Sequence, residues 1–189
     1  EIIQKTFTDS NGNPVSLKVG ITGIVPPQIL NWDKALLEGK VVVNDAVESL
    51  NALVPQMKAE GADIILVLSH SGIGDNVYEK GEENVGYQIA GVPGVDAVVT
   101  GHSHAEFPSG KGTGFYEKYP GVDGINGTIN GTPVTMAGKY GDHLGVIDLE
   151  LTFSNGKWTV SKGTGAIRKI DTKSTETDPS IWALAKEAH

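Results

Sequence analysis

The chain has 189 residues, 39% of them hydrophobic and 20% charged, a balance that suits a folded domain with a sizeable core and excludes a disordered or low-complexity polymer. Its formal charge of −8, with no Lys/Arg cluster to offset it, repels polyanions and excludes a surface for nucleic-acid duplexes, although a bound metal would invert that field locally for a small phosphorylated molecule. Without a cysteine there is neither a disulfide scaffold nor a thiolate metal site, and no apolar run approaches the roughly 18 residues of a membrane span.

Residues 1–3 (EII) carry no initiator Met and no charged leader, so the chain is expected to start inside something longer, with any export signal removed. Residues 17–25 (LKVGITGIV) are β-rich and partly alternating, and Pro26-Pro27 closes them because proline cannot donate to a ladder. From Asn44, read as an N-cap, the spacing of Val47, Leu50, Val54 and Met57 predicts a helix kinked at Pro55 and stopped by Gly61. Residues 63–68 (DIILVL) form a continuous apolar run of the kind buried on both faces, so a β-α-β crossover and a parallel pair are expected. Residues 82–90 then read as a short helix, Pro93-Gly94 as a turn, and residues 96–100 (DAVVT) as a second buried strand.

Residues 105–131 are Gly-rich and too long for a simple connection, after which the pattern reads as all-β: strands at 133–137, 144–153 and 157–161, with Asn155-Gly156 a hairpin turn. Ile147, Leu149, Leu151 and Phe153 alternate cleanly with polar residues, so that face is expected to be buried. The tail, with Asp178 as N-cap and Pro179 at the first helical position, predicts a helix through Ile181, Trp182, Leu184 and Ala185.

Two loops just past the buried strands carry the chemistry, Ser69-His70-Ser71-Gly72 and Gly101-His102-Ser103-His104. Ligands gather at the carboxyl ends of strands in open α/β sheets. In an extended segment His102 and His104 would leave the same side of the backbone, and a parallel sheet would bring His70 alongside. Three neutral imidazoles converging there suit a transition metal better than Ca²⁺ or Mg²⁺. His143 and His189 lack such a setting and read as structural or surface residues. Asp75 and Asn76 fit either hydrogen bonds to ligand histidines or ordinary turn chemistry. Phe107 and Tyr116 fit either base stacking or loop packing, and Trp32 and Trp182 read as core or interface anchors.

Gly101-His102-Ser103-His104 resembles the Gly-His-x-His signature of the calcineurin-like metallophosphoesterases, and Leu68-Ser69-His70-Ser71-Gly72-Ile73 resembles the single-His motif that precedes it. The stretches WDKALLEGKV, GVDAVVTGHSHAEFP and GTPVTMAGKYGDHLGVIDLEL are similar to the 2',3'-cyclic-nucleotide 2'-phosphodiesterase/3'-nucleotidase branch, close to the 5'-nucleotidases. The resemblance implies an α/β fold, half of a four-layer α/β/β/α sandwich in which parallel β-α-β units are followed by antiparallel strands. Residues 1–171 would be the C-terminal half of the phosphoesterase domain and residues 172–189 a helix starting the linker to a further domain.

It further implies that His70 and His102 bind one divalent transition metal (Zn, Mn or Fe) and His104 a second. Two such ions roughly 3.5–4 Å apart activate a hydroxide and clamp a phosphoryl group for in-line attack. The substrates would be 2',3'-cyclic nucleotides and 3'-nucleotides; 5'-nucleotidase or UDP-sugar hydrolase activity, or an inactive metal-binding fragment, are the alternatives. The family's Asp-x-His pair, bridging Asp and Asn-His motif are not found in these residues, so the resemblance assigns no catalytic residue and makes the upstream half of the domain a required partner. It also implies export to the periplasm, cell wall or medium.

Overall fold

In a computed structural model, which describes residues 1–187, the chain opens with an antiparallel pair: β1 (Ile2–Thr8) runs against β2 (Pro14–Ile24). The pattern of residues 17–25 anticipates β2, but β1 carries no comparable signal. Two single-turn helices follow the Pro26-Pro27 break, α1 (Ile29–Trp32) and α2 (Lys34–Leu37).

The helix α3 (Ala46–Ala59) runs on through Pro55 and ends at Glu60, with Gly61 beyond it at a φ of +97°. Its N-cap is Asp45 rather than Asn44, because the Asp45 carboxylate accepts the Glu48 backbone N–H at 2.9 Å and so satisfies an end group of the helix. Ala46, Leu50, Val54 and Met57 recur at helical spacing and are buried.

Next comes β3 (Ile64–Ser69), parallel to β2, so β2, α3 and β3 form the expected crossover. The helix after it is shorter than residues 82–90 suggest, α4 (Gly86–Ala90), and β4 (Ala97–Thr100) pairs in parallel with β3. The Gly-rich stretch holds three two-residue strands, β5 (Glu106–Phe107), β6 (Val122–Asp123) and β7 (Thr128–Ile129). Phe107 and Tyr116 are buried there and meet edge to face at 6.3 Å, which is loop packing rather than a base platform.

The strand β8 (Thr132–Ala137) forms where residues 133–137 predict one, and it lies parallel to β4 and so extends the crossover sheet. Among the described residues, eight strands form one sheet in the order β1-β2-β3-β4-β8-β7-β6, with β5 paired to β8. Alternation divides this sheet into two faces. Ile65, Val67 and Val98 are withdrawn completely from water and cluster with Leu50 and Val54 of α3 and Ile89 of α4. Ile64, Leu66 and Ala97 face the other way.

That second face looks toward a two-stranded sheet, β9 (His143–Ser154) against β10 (Lys157–Lys169), closed by Asn155-Gly156 with φ of +52° and +75°. Positive φ at both central residues is the turn geometry that follows strand twist, which is why Asn-Gly occupies it. The face of Ile147, Leu149 and Leu151 is only half-buried, and Phe153 is 58% exposed, against the expectation of full burial. These residues line a cavity of about 720 Å³ between the two sheets, opposite Leu17, Val19, Ile64 and Leu66. The tail helix α5 (Pro179–Ala185) forms as expected, with Ser180 N–H donating to Asp178 at 2.8 Å. His189 lies outside the described residues. Among the described residues no helix is long and apolar enough to cross a membrane.

Candidate metal centre

β3 and β4 are parallel neighbours, so the loops after their carboxyl ends lie side by side and bring His70 next to His102. His102 Nδ1 stands 3.3 Å from His70 Nε2. Two nitrogens bound to one tetrahedral ion at about 2.0–2.1 Å would be about 3.3–3.4 Å apart. The opposite nitrogen, His102 Nε2, lies 2.5 Å from Glu83 Oε1. A carboxylate can only accept here, so with Nε2–H donating to Glu83 the neutral ring turns its Nδ1 lone pair toward His70, the posture in which carboxylates hold ligand histidines. The donors present therefore fit a divalent transition ion at the His70–His102 pair.

His104 does not join that pair. The loop is not extended: His102 and His104 adopt φ of +63° and +57°, while Ser103 N–H reaches back to the Gly101 carbonyl at 2.7 Å. Left-handed backbone at two non-glycine residues costs about 1–3 kcal/mol each and clusters at functional sites. The two rings consequently part. His102 meets His70 and Trp32, and His104 meets Tyr140 with ring centroids 6.2 Å apart.

Trp32 stacks on His102 at 5.1 Å with 25° between planes, and it is 47% exposed, so it belongs to the wall of the site and not to a core. Of Asp75 and Asn76, the turn reading holds for Asp75, whose carboxylate accepts the Val77 N–H. The side chains that support the histidine loops come from elsewhere, Glu83 and Asn84. Asn84 Oδ1 accepts the Gly72 N–H at 2.9 Å, and the buried Ser71 hydroxyl donates to the Glu83 carbonyl while accepting the Val85 N–H. Gly72 has to lack a side chain here. A Cβ would fall inside contact distance of Asn84 Oδ1 and 2.8 Å from Ser103 Oγ, colliding at once with the neighbouring histidine loop and with the segment that braces its own.

Asp45 ties the preceding segment down. Burial works against its carboxylate, but the N–H groups of Glu48 and Gly81 and the Tyr78 hydroxyl outweigh it and hold the carboxyl below the ordinary range. For Tyr78, burial followed by that hydrogen bond and the charge of Asp45 pushes the phenol up to about 12. The helix cap thus also anchors the chain leading to Glu83. Asp45, Glu83, Asn84 and Trp32 show no metal-ligand spacing in the sequence. The only sequence signal of Asp45, Glu83 and Asn84 is that of polar residues near helix starts, which is common without function, and Trp32 is an aromatic residue with no motif around it.

A second group of donors lies beyond His104. Among the described residues, Glu106, Asp142 and His143 bring one ligand atom each within 4.8 Å of one another. The His143 side chain is 9% exposed, which fits the structural reading of this residue rather than the surface one.

A family model of calcineurin-like phosphoesterases matches residues 2–106. The 2',3'-cyclic-nucleotide 2'-phosphodiesterase/3'-nucleotidase of Haemophilus influenzae is 43% identical over 193 residues, covering 100% of this chain and 29% of that protein. Its namesake from Salmonella typhimurium is 47% identical over 169 residues, 89% of this chain and 26% of that protein. The crystal structure of calcineurin-like phosphoesterase YfkN from Bacillus subtilis superposes with a TM-score of 0.94 at 42% identity, over 100% of this chain and 56% of that one. The chain spans less than a third of these two curated relatives' length.

Proposed function

The chain belongs to the calcineurin-like phosphoesterase family, and from that premise we propose that it supplies part of a metal-dependent site hydrolysing 2',3'-cyclic nucleotides and 3'-nucleotides. Members of the family use divalent metals. The observation that carries the reading is the 3.3 Å approach of His102 Nδ1 to His70 Nε2, with His102 Nε2 engaged by Glu83. The relatives' names support the substrate class.

His70 and His102 would hold one ion, Zn, Mn or Fe, and His104 would contribute to a second. When bound, such ions lower the pKa of the attacking water and neutralise charge on the phosphoryl oxygens. The chain's own residues prepare that chemistry. Glu83 fixes the tautomer and orientation of His102, Trp32 covers one face of its ring, and Asn84 and Ser71 lock the loop that carries His70.

Two further features support completion of the site by the upstream half of the domain. No carboxylate joins the His70–His102 pair as a third ligand atom within 4.8 Å among the described residues. The apolar faces of both sheets also stand open across the 720 Å³ cavity. We assign residues 1–171 to the phosphoesterase domain and the segment from 172 to a linker, and we place the protein outside the cytoplasm. Fractionation of cells producing the longer protein checks the location, and activity confined to the cytosol would exclude it.

The experiment is elemental analysis after dialysis against Zn²⁺ or Mn²⁺, paired with phosphate release from 2',3'-cyclic AMP, 3'-AMP and 5'-AMP, with and without the upstream half. His102→Ala and His70→Ala should each remove one equivalent of metal, and turnover should require both halves. Unchanged metal in His102→Ala overturns the site. Faster release from 5'-AMP than from 3'-AMP reassigns the substrate to the 5'-nucleotidase class, and turnover by the chain alone refutes the need for a second half.

A further inference from the structure

We propose that Glu106, Asp142 and His143 form a separate binding site for one divalent transition ion, which fastens the turn bearing Tyr140 to the strand carrying Glu106. This site shares no residue with the His70–His102 pair and stands whether or not the proposed function does.

The backbone assembles it from parts distant in sequence. β5 runs antiparallel to β8 with Glu106 opposite Ala137, so the chain leaving β8 turns directly beside Glu106. Gly138 N–H donates to the Ala105 carbonyl at 3.1 Å, and Lys139 N–H donates to Asp142 Oδ1 at 3.1 Å, closing the turn before β9 starts at His143. Three donors are thereby presented on fixed backbone.

The imidazole is the second, independent indication. The His143 side chain is 9% exposed, and its Nδ1 is buried without a hydrogen-bond partner. Asp142 Oδ1 lies 3.1 Å from that nitrogen but outside hydrogen-bond alignment, and Glu106 Oε2 lies 3.8 Å from Nε2. Buried polar atoms are nearly always satisfied, so an imidazole with one carboxylate at each ring nitrogen, neither in good hydrogen-bond geometry, has room for a better partner between them. A cation satisfies it where a proton donor is not at hand.

The dimensions agree. Ligand atoms about 2.0–2.2 Å from a common ion are at most about 4.4 Å apart. The observed group lies within 4.8 Å, so small side-chain rotations close it. One imidazole and two carboxylates suit Zn²⁺ or Mn²⁺, while Ca²⁺ prefers an all-oxygen shell. The Glu106 and Asp142 side chains are half-exposed, leaving room for water as the remaining ligand. Since Tyr140 sits in the same turn with its ring centroid 6.2 Å from that of His104, binding here would hold this turn beside His104.

Isothermal titration of the metal-free chain with Zn²⁺, alone and at saturating Mg²⁺, tests this. Glu106→Gln and His143→Ala should each lose one bound equivalent or weaken it at least tenfold, while the His70→Ala/His102→Ala double variant retains it. Glu106 is half-exposed, so Glu106→Gln keeps the fold, and an unchanged circular dichroism spectrum verifies that. Unchanged stoichiometry and affinity in Glu106→Gln overturns the site, as does complete loss of binding in the double variant. Failure of the His70–His102 reading would show in the double variant alone.

Discussion

On the helix-covered side of the eight-stranded sheet, Leu50, Ile65, Val67, Ile89 and Val98 are withdrawn completely from water. On the other side, Ile147, Leu149 and Leu151 of β9 stay half-exposed above a cavity of about 720 Å³. Both regions carry apolar residues at a regular period, 3.6 in α3 and 2 in β9. The difference is that α3 and α4 lie in the connections between parallel neighbouring strands and pack on one face of the sheet, whereas among the described residues none fills the space under the hairpin. A clean apolar pattern states that a face needs covering. It does not state that the covering is in the same stretch of chain.

The largest expected effect breaks the covered side. Leu50→Ala should cost about 2–5 kcal/mol of unfolding free energy, the range for a cavity in a packed core. The matching truncation, Leu149→Ala, should cost under about 1 kcal/mol, because the side chain already has water on one side. Urea unfolding with equal m-values measures both. Equal losses would mean that the two faces are equally packed and would erase the contrast. Adding the upstream half should bring the Leu149→Ala cost up toward that of Leu50→Ala.

Gly72→Ala sharpens the comparison at the sheet's carboxyl end, where the loops depend on backbone proximity rather than on apolar burial. The added methyl collides with Asn84 and Ser103, and overpacking of this kind costs about 1–3 kcal/mol. The same change should weaken Zn²⁺ binding at the His70–His102 pair, read by titration. Full affinity with reduced stability would separate loop packing from metal geometry.

Asp45→Ala should have a smaller effect, about 1–2 kcal/mol at pH 7 for a lost cap, and it should loosen the chain that leads to Glu83. The pH dependence follows from the depressed carboxyl. A folded pKa below the unfolded one means that the contribution is fully present above the unfolded value, about 3.9, and is lost as pH falls from there through the folded value. The gap between the parent chain and Asp45→Ala should therefore be constant from pH 5 to neutrality and narrow below about pH 4. A gap that instead narrows toward alkaline pH would point away from Asp45 and toward the Tyr78 phenol.

Much of the architecture is legible in the residues. The apolar runs of β3 and β4, the period of α3 and the Asn-Gly turn each state a local preference that tertiary packing does not overrule. Local sequence was silent on β1, because an edge strand half-open to water needs little apolar patterning, and it left the pairing of β8 open, because a strand's partner is not encoded in its own alternation. At the site, His70, His102 and His104 stand out through their Gly/Ser loops after buried strands. Glu83, Asn84 and Trp32 do not, since each reaches the histidines from a different segment.

The sequence by itself determined the strongly patterned elements, α3, β3, β4 and the β9–β10 hairpin, and that two histidine loops follow buried strands, because period and turn chemistry act over a few residues. Only the tertiary structure decided that His102 turns to His70 and Glu83 while His104 turns to Tyr140, and that Glu106 meets His143. Those outcomes depend on left-handed backbone at two histidines and on a parallel register between distant strands, and both are set by packing across the whole sheet rather than by any residue's neighbours in the chain.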